Sequence, residues 1–234
     1  MNFLGIISAR AGSKGLKNKN ILKINNKTLI EISVEEALKT KYLSKIIFSS
    51  ESSIYLNKVS KYKKKIDLIK RPNGLSKDNS SIFDVIKHCL FYYEKKKMKF
   101  DYVVLLQPTT PFRKSTHIDE CIKKISKYKA DSLISVKEPS YPIEWSLQIS
   151  KNRISHILKK GDNLKRRQDA DKKIVIPSGY VYIFRSDLLL KNKNFKIPSN
   201  DTLHYMVENK YSINIDNEED YFLAKFFNKK YGFI

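Results

Sequence analysis

A cationic loop that contains glycine follows the first apolar run of the chain. The run spans residues 3–7, and the loop after it carries two glycines and four cations: Gly12, Gly15, Arg10, Lys14, Lys17 and Lys19. Glycine lets backbone N–H groups approach a bound group closely, while lysine and arginine neutralise anionic charge, so the pattern predicts phosphate binding. The spacing matches neither GxxxxGK[ST] nor GxGxxG, and a solvated basic turn explains the same residues about as well.

Three further polar segments follow other apolar runs. Arg71 begins one that continues to Ser81, residues 107–113 form another, and Asp216 directly follows the run 212–215. Taken singly, each could be a turn, a helix cap or a solvated acid. If the preceding runs are strands of one sheet, these segments meet at the edge where doubly wound sheets bind ligands.

Alternating strand and helix patterns predict that sheet. Strands are expected at residues 3–8, 45–49, 66–69, 101–106, 132–136, 178–184 and 212–215, and helices at 29–41, 52–62, 80–96, 116–128 and 217–227. We expect Ser115 and residues 49–51 to cap the helices that follow them. The order predicts an α/β fold with a mostly parallel, doubly wound sheet and helices on both faces. After residue 137 the pattern changes to a predicted antiparallel excursion.

The net charge of +22 admits a nucleic-acid-binding protein. The excess is nearly all lysine, with only seven arginines, and it is spread along the chain, which favours a solvated lysine-rich surface. No apolar run approaches the ~20 residues of a membrane span, and the first run is too short for a signal peptide. Cys89 and Cys121 lie in apolar contexts, so we expect buried thiols in a cytoplasmic protein.

In the basic loop and the polar segments described above, the chain resembles the acylneuraminate cytidylyltransferases, the family of CMP-sialic acid synthetases and their CMP-nonulosonic acid relatives. The resemblance covers almost the whole chain and rests on residues 9–15 with 19–20, 71–72 with 75 and 78, 106–111 with 113, 167–169, 177–179, and 216 with 219–220. It implies that CTP and a nonulosonic acid give a CMP-sugar and pyrophosphate. It also implies a Rossmann-like nucleotidyltransferase domain at residues 1–137 and 173–234, a dimerisation and sugar-binding insert at 138–172, Mg²⁺ or Mn²⁺ as cofactor, and a homodimer.

The resemblance also implies roles for individual residues. Arg10, Lys19 and Gln107 are the expected catalytic residues, because the two cations can neutralise phosphate charge and Gln107 lies where the sugar meets the α-phosphate. Arg71 is expected to read cytosine through the base's O2 and N3 acceptors. The other expected contacts to CTP are Ala9, Gly12, Ser13, Lys14, Asn20, Ser80 and Ser81; those to the sugar are Gln107, Arg167, Ser178 and Tyr180; and the expected metal ligands are Asp216 and Asn214.

The chain departs from the family pattern in three respects. Asn214 stands where an aspartate is common, so the expected metal site loses one negative charge. Residues 176–179 read Ile-Pro-Ser-Gly instead of Arg-Pro-Asn-Gly, and Tyr180 replaces a small residue. These changes predict a bulkier, less polar sugar pocket that favours a legionaminate-type acid.

Two alternatives stay open at this point. One is the same reaction with N-acetylneuraminate itself. The other is a protein that binds nucleic acid or another polyanion through its basic surface. On the enzyme hypothesis neither a nucleic acid nor a membrane is an expected partner.

Overall fold

A seven-stranded sheet forms the centre of the computed structural model, which describes residues 1–12, 15–158, 166–169, 174–192 and 195–234. In chain order the strands are β1 (Phe3–Ser8), β2 (Lys23–Ile24), β3 (Lys27–Thr28), β4 (Leu43–Ser50), β5 (Asp67–Lys70), β6 (Tyr102–Leu106), β7 (Ser132–Lys137), β8 (Leu147–Ser150), β9 (Arg153–His156), β10 (Ile176–Arg185) and β11 (Thr202–Met206). The order across the sheet is β11, β7, β10, β6, β1, β4, β5, while β2–β3 and β8–β9 form separate hairpins.

The sheet is parallel except at β10, which runs antiparallel to β6 and β7. The ends of β1, β4, β5 and β6 therefore meet at one edge, as the sequence predicts. All five residues of β6 are buried, because this strand lies inside the sheet and is covered on both faces.

Helices cover both faces of the sheet. Within the described residues they are α1 (Leu29–Leu38), α2 (Ser53–Val59), α3 (Ile82–Glu94), α4 (Ser115–Tyr128), α5 (Ser186–Lys191) and α6 (Glu218–Tyr231). Buried residues of α1, α2 and α4 share one apolar cluster with the sheet, and those of α3 and α5 share another. The mostly parallel, doubly wound α/β prediction is thus confirmed. Cys89 and Cys121 are buried free thiols, one in each cluster.

Two local predictions are wrong. Residues 212–215 form no strand: Ile213 and Ile215 are buried in a third apolar cluster, but the Ile215 N–H bonds to the carbonyl of Thr109 in a loop. The seventh strand of the sheet is instead β11, whose residues are all at least partly exposed and so give little apolar signal. Ser115 does not cap α4, because the helix begins at that residue and its N-cap is Lys114.

The region after β7 contains the expected antiparallel excursion, the β8–β9 hairpin. The hairpin exposes apolar side chains, including Leu147, Ile149 and Ile154. Residues 159–165 and 170–173 of this region lie outside the described residues, so the domain boundaries at 137/138 and 172/173 stay a prediction. None of the helices described has the length and apolar character that crossing a bilayer requires.

Candidate active site

A cavity of about 660 Å³ opens at the edge where β1, β5 and β6 end. Eight of the residues predicted from the sequence line it: Arg10, Lys19, Asn20, Arg71, Ser80, Gln107, Asn214 and Asp216. These residues come from four segments of the chain: the loop after β1, residues 71–80, Gln107 and residues 214–216. The parallel strands bring together the residues that follow β1, β5 and β6, since neighbouring parallel strands end at the same edge of a sheet. Asn214 and Asp216 reach the cavity on a loop, in which the Ile215 N–H bonds to the carbonyl of Thr109.

The basic loop after β1 is held at both ends. The Ala9 N–H bonds to the carbonyl of Ser49, and the buried Asn20 donates its side-chain amide to the carbonyl of Arg10 at 3.0 Å. A Cβ on Gly15 would lie 2.7 Å from the carbonyl oxygen of Asp216, so only glycine lets the loop pass this close. The loop is therefore fitted against the segment that carries Asp216.

Both expected catalytic cations are paired with carboxylates at the cavity. Arg10 Nη1 lies 2.7 Å from Asp78 Oδ1, and Lys19 Nζ lies 2.7 Å from Asp216 Oδ1. The side chains keep contact with solvent, which limits the strength of these pairs. An anionic ligand entering the cavity meets two cations whose present partners are weak enough to be replaced.

Arg71 is fixed in the floor of the cavity. Its side chain is 3% exposed and donates to Ser76 Oγ from Nε (2.8 Å), to Ser8 Oγ from Nη1 (2.8 Å) and to Glu51 Oε2 from Nη2 (3.1 Å). A guanidinium has five N–H donors. Three are used here, and two remain for a ligand.

Glu51 bonds to the basic loop and to Arg71, which the sequence did not predict. The sequence suggested a helix cap at residues 49–51, but Ser52 caps α2 by accepting the Tyr55 N–H. Glu51 instead accepts the Ala11 N–H at 2.7 Å. Burial pushes the pKa of its carboxyl upward, but backbone hydrogen bonds and the charge of Arg71 hold the pKa below its ordinary value. Its position directly after a strand at the cavity edge is the signal that could have found it.

A buried arginine holds the loop that carries Gln107. Arg113 is 1% exposed and donates to the carbonyls of Gln107 and Tyr180, both at 2.9 Å, and to Ser33 Oγ on α1. Burial lowers the pKa of its guanidinium to about 10, so it still carries a charge at neutral pH. Gln107 Oε1 lies above Gly179, where a Cβ would stand only 3.2 Å away.

Two side chains that were expected to contact the sugar are buried and do not line the cavity. Tyr180 is fully buried, and its hydroxyl bonds to the carbonyl of Phe112, the N–H of Lys114 and Nδ1 of His117. Ser178 is also buried and bonds to Ser135 Oγ. The register of β10 against β7 shifts between residues 177 and 182, and within this segment Gly179 lies against the side chain of Gln107.

The remaining predicted residues lie elsewhere. Ser81 caps α3 by accepting the Phe83 N–H, and Arg167 lies on an exposed 3₁₀ turn that does not line the cavity. Ala9 is buried and Gly12 is exposed, and neither lines the cavity. Ser13 and Lys14 lie outside the described residues.

The oxygen atoms at the expected metal position suit a hard cation. Asn214 donates its amide N–H to Asp216 Oδ2, while its own carbonyl oxygen Oδ1 is buried without a hydrogen-bond partner. A carboxylate and an unused amide oxygen are ligand types that Mg²⁺ accepts. The described residues contain no group of three or more His, Cys, Asp or Glu side chains that could hold a metal ion, so phosphate oxygens and water would have to complete the shell.

Residues 4–223 match a family model described as "Cytidylyltransferase". The chain belongs to the cytidylyltransferase family. It is 32% identical, over 94% of its length, to the N-acylneuraminate cytidylyltransferase of Escherichia coli O18:K1:H7, and it covers 51% of that protein. It therefore spans about half the length of this relative.

Two further similarities extend the family assignment. The CMP-N,N'-diacetyllegionaminic acid synthase of Legionella pneumophila is 28% identical, over 96% of this chain and 95% of the relative. A solved structure of CMP:2-keto-3-deoxy-manno-octonic acid synthetase complexed with CTP matches with a TM-score of 0.69, at 14% identity, over 98% of this chain and 99% of that one. At that identity the structural match bears on the fold, which is the fold of a cytidylyltransferase.

Proposed function

We propose that this cytidylyltransferase joins CMP from CTP to a nonulosonic acid and releases pyrophosphate. The observation that carries the proposal is the meeting of Arg10, Lys19, Arg71, Gln107 and Asp216 around one cavity. The relatives whose names give CMP-sugar synthesis or cytidylyl transfer to acylneuraminate support the choice of nucleotide and sugar class.

The cavity supplies the positioning and charge that this reaction needs. The anomeric hydroxyl of the sugar releases its proton to solvent water, its oxygen bonds to the α-phosphorus, and the bond from that phosphorus to pyrophosphate breaks. Arg10 and Lys19 leave their acidic partners and neutralise the phosphate oxygens as negative charge moves onto pyrophosphate. Gln107 orients the sugar against the α-phosphate, because the loop that carries it is fixed by Arg113.

Arg71 selects the base. Cytosine has acceptors at both O2 and N3, which match the two remaining N–H donors, whereas uracil has a donor at N3. A buried donor that faces another donor is left without a partner, and such mismatches discriminate strongly. CTP is therefore the expected substrate over UTP.

Asp216 and the carbonyl oxygen of Asn214 would hold Mg²⁺, or Mn²⁺ in its place. When bound, the cation neutralises charge on the phosphate oxygens and helps to orient them. Lys19 Nζ donates to Oδ1 of the same Asp216 carboxylate. Lys19 and the cation thus share one carboxylate between them.

One assay tests the proposed reaction: pyrophosphate release from CTP or UTP with Mg²⁺ and, separately, N-acetylneuraminate or N,N'-diacetyllegionaminic acid. The proposal expects turnover that depends on a nonulosonic acid and favours CTP. The sequence departures at residues 176 and 178 favour the legionaminate-type acid, and faster turnover of N-acetylneuraminate would refute that choice alone. Absence of turnover with tight, salt-sensitive binding to DNA or RNA would favour the polyanion-binding alternative.

We propose that the β8–β9 hairpin joins two copies in a homodimer. Ile149 is 81% exposed and Ile154 is 67% exposed, and they pair directly across the hairpin, so together they offer an apolar surface that a partner could cover. The substitution Ile149→Lys should shift sedimentation from dimer to monomer. Ile54→Lys is the control, because Ile54 is 64% exposed on α2. A dimer that persists in the first variant would exclude the hairpin as the interface.

The two buried free thiols fit a reducing compartment, and we place the reaction in the cytoplasm.

A further inference from the structure

Glu51 connects two parts of the cavity without lining it. It lies directly after β4. Its Oε1 accepts the backbone N–H of Ala11 at 2.7 Å, next to Arg10 in the basic loop, and its Oε2 lies 3.1 Å from Arg71 Nη2. One carboxylate therefore bonds to both the loop after β1 and the arginine after β5.

Ser76 closes this connection into a ring. Its hydroxyl accepts from Arg71 Nε at 2.8 Å and donates to Glu51 Oε2 at 3.0 Å. Ser8 holds the guanidinium from the other side by accepting from Nη1. The plane of the guanidinium is thus set by three partners, of which only Glu51 is charged.

Burial makes that charge important. The Arg71 side chain is 3% exposed and the Glu51 side chain 16% exposed. A buried guanidinium that loses its counter-charge either turns towards solvent or recruits another acceptor. Its two free N–H groups would then no longer point in one fixed direction.

We propose that Glu51 is a positioning residue for nucleotide selection. It sets the orientation in which Arg71 presents its free donors, and it ties that orientation to the loop that carries Arg10. The inference rests on the proposed use of CTP, which it deepens. Loss of Glu51 lowers the preference for CTP over UTP, because a guanidinium that can turn offers its donors to uracil O2 and O4 as well.

The test compares Glu51→Ala and Glu51→Gln with a matched control, Glu36→Gln. Glu36 is also mostly buried and also accepts a backbone N–H, that of Ser115 at 2.9 Å, but it does not line the cavity. The ratio of kcat/KM for CTP to that for UTP should fall at least tenfold in Glu51→Ala and less in Glu51→Gln. It should not change in Glu36→Gln. Thermal unfolding of each variant separates this effect from a general loss of structure.

A double-mutant cycle with Arg71→Ala decides whether Glu51 acts through the arginine. If it does, adding Glu51→Ala to Arg71→Ala lowers the ratio no further. A further fall of the same size, or an unchanged ratio in folded Glu51 variants, would overturn the proposal. If Glu51→Ala does not fold, Glu51→Gln decides on the same ratio, since it keeps the volume and one acceptor.

Equilibrium binding keeps this test separate from the test of the reaction. The ratio of dissociation constants for CTP and UTP should change in the Glu51 variants as the kinetic ratio does, and this measurement needs no turnover. A wild-type protein that binds CTP selectively but releases no pyrophosphate would contradict the proposed reaction alone. A wild-type protein that does not distinguish CTP from UTP would contradict the base-reading role of Arg71, and with it the role of Glu51.

Discussion

Lys19 is the residue whose loss should most reduce the neutralisation of phosphate charge. Its ammonium group lies at the cavity and bonds to Asp216, and its side chain is 19% exposed. Lys19→Ala should lower kcat about a hundredfold, or about 2.7 kcal/mol of barrier, because charge on the leaving phosphates is no longer neutralised. Stopped or coupled pyrophosphate assays measure this.

Lys17→Ala is the matched control for that prediction. Lys17 is an exposed lysine of the same loop and does not line the cavity. Its loss removes the same net charge from the loop but no group from the cavity. The value of kcat should therefore stay within about twofold of the wild type, well under the tenfold that corresponds to about 1.4 kcal/mol. Equal losses in the two variants would mean that general charge, and not the position of Lys19, matters.

Asn214 offers a second prediction at the scale of one residue. Asn214→Asp would add a carboxylate beside Asp216, so the Mg²⁺ concentration for half-maximal rate should fall severalfold. Without metal the two acids repel, and the melting temperature in EDTA should drop below that of the wild type. A variant that needs more Mg²⁺ than the wild type would show that Asn214 is not at the metal.

The sequence predicted which residues lie at the cavity where these residues directly follow a strand. Arg71 and Gln107 lie at the cavity because parallel strands leave only one edge for the residues after them. It did not predict that Tyr180 is buried; β10 changes register within this segment, and no local sequence pattern indicates such a shift. It also missed Glu51, since a carboxylate before a helix has the same sequence pattern as a cap.

At the scale of elements, β10 supports Gln107. Gly179 has φ +72°, and a Cβ there would lie 3.2 Å from Gln107 Oε1. Gly179→Ala should destabilise the fold by about 1–2 kcal/mol through backbone strain and also lower kcat about tenfold by displacing Gln107. Urea unfolding and steady-state kinetics measure the two effects separately.

Gly232→Ala is the control that separates the displacement of Gln107 from backbone strain. Gly232 ends α6 with φ +61°, so an alanine there meets the same kind of backbone strain, but it has open space around its Cβ position. This variant should lose comparable stability and keep its kcat. If kcat fell equally in both variants, the effect would come from lowered stability and not from Gln107.

The elements themselves were predictable where apolar runs are strong and buried. β1 is identical in extent to its prediction, and α3 and β6 differ by one or two residues at their ends. β11 escaped notice because it lies at the edge of the sheet and needs no apolar run. The segment 212–215 misled for the opposite reason, since it is apolar and buried but makes its backbone hydrogen bond to a loop.

The whole molecule should be sensitive to acid. The carboxyl pKa values of Glu31, Glu35, Glu51, Asp67 and Asp187 are all lowered in the folded chain. For Glu31, burial acts upward, but hydrogen bonds from Lys61 and Thr28 bring the pKa from 4.5 to about 2. The unfolded chain takes up this proton first, so the stabilising contribution is complete above about pH 4.5 and is lost as the pH falls towards 2.

Urea unfolding at several pH values checks this expectation. Glu31→Gln should be less stable than the wild type at pH 7, and the gap should narrow below pH 4, where the wild type loses the same contribution. Glu94→Gln is the control, because Glu94 is an exposed acid at the end of α3. A gap for Glu31→Gln that stays constant down to pH 2.5 would contradict the assignment.

The antiparallel placement of β10 has a consequence for the order in which the protein can assemble during synthesis. β1, β4, β5 and β6 pair among themselves, but β7 pairs only with β10 and β11. While the ribosome is still synthesising the segment between β7 and β10, β7 has no neighbouring strand. One edge of β6 is then unpaired, although all five residues of β6 are buried in the folded protein. Arg10, Lys19 and Arg71 precede that segment in the nascent chain, whereas Asp216 follows it. Arg10 and Arg71 can therefore meet their carboxylate partners, Asp78 and Glu51, before the partner of Lys19 has been synthesised.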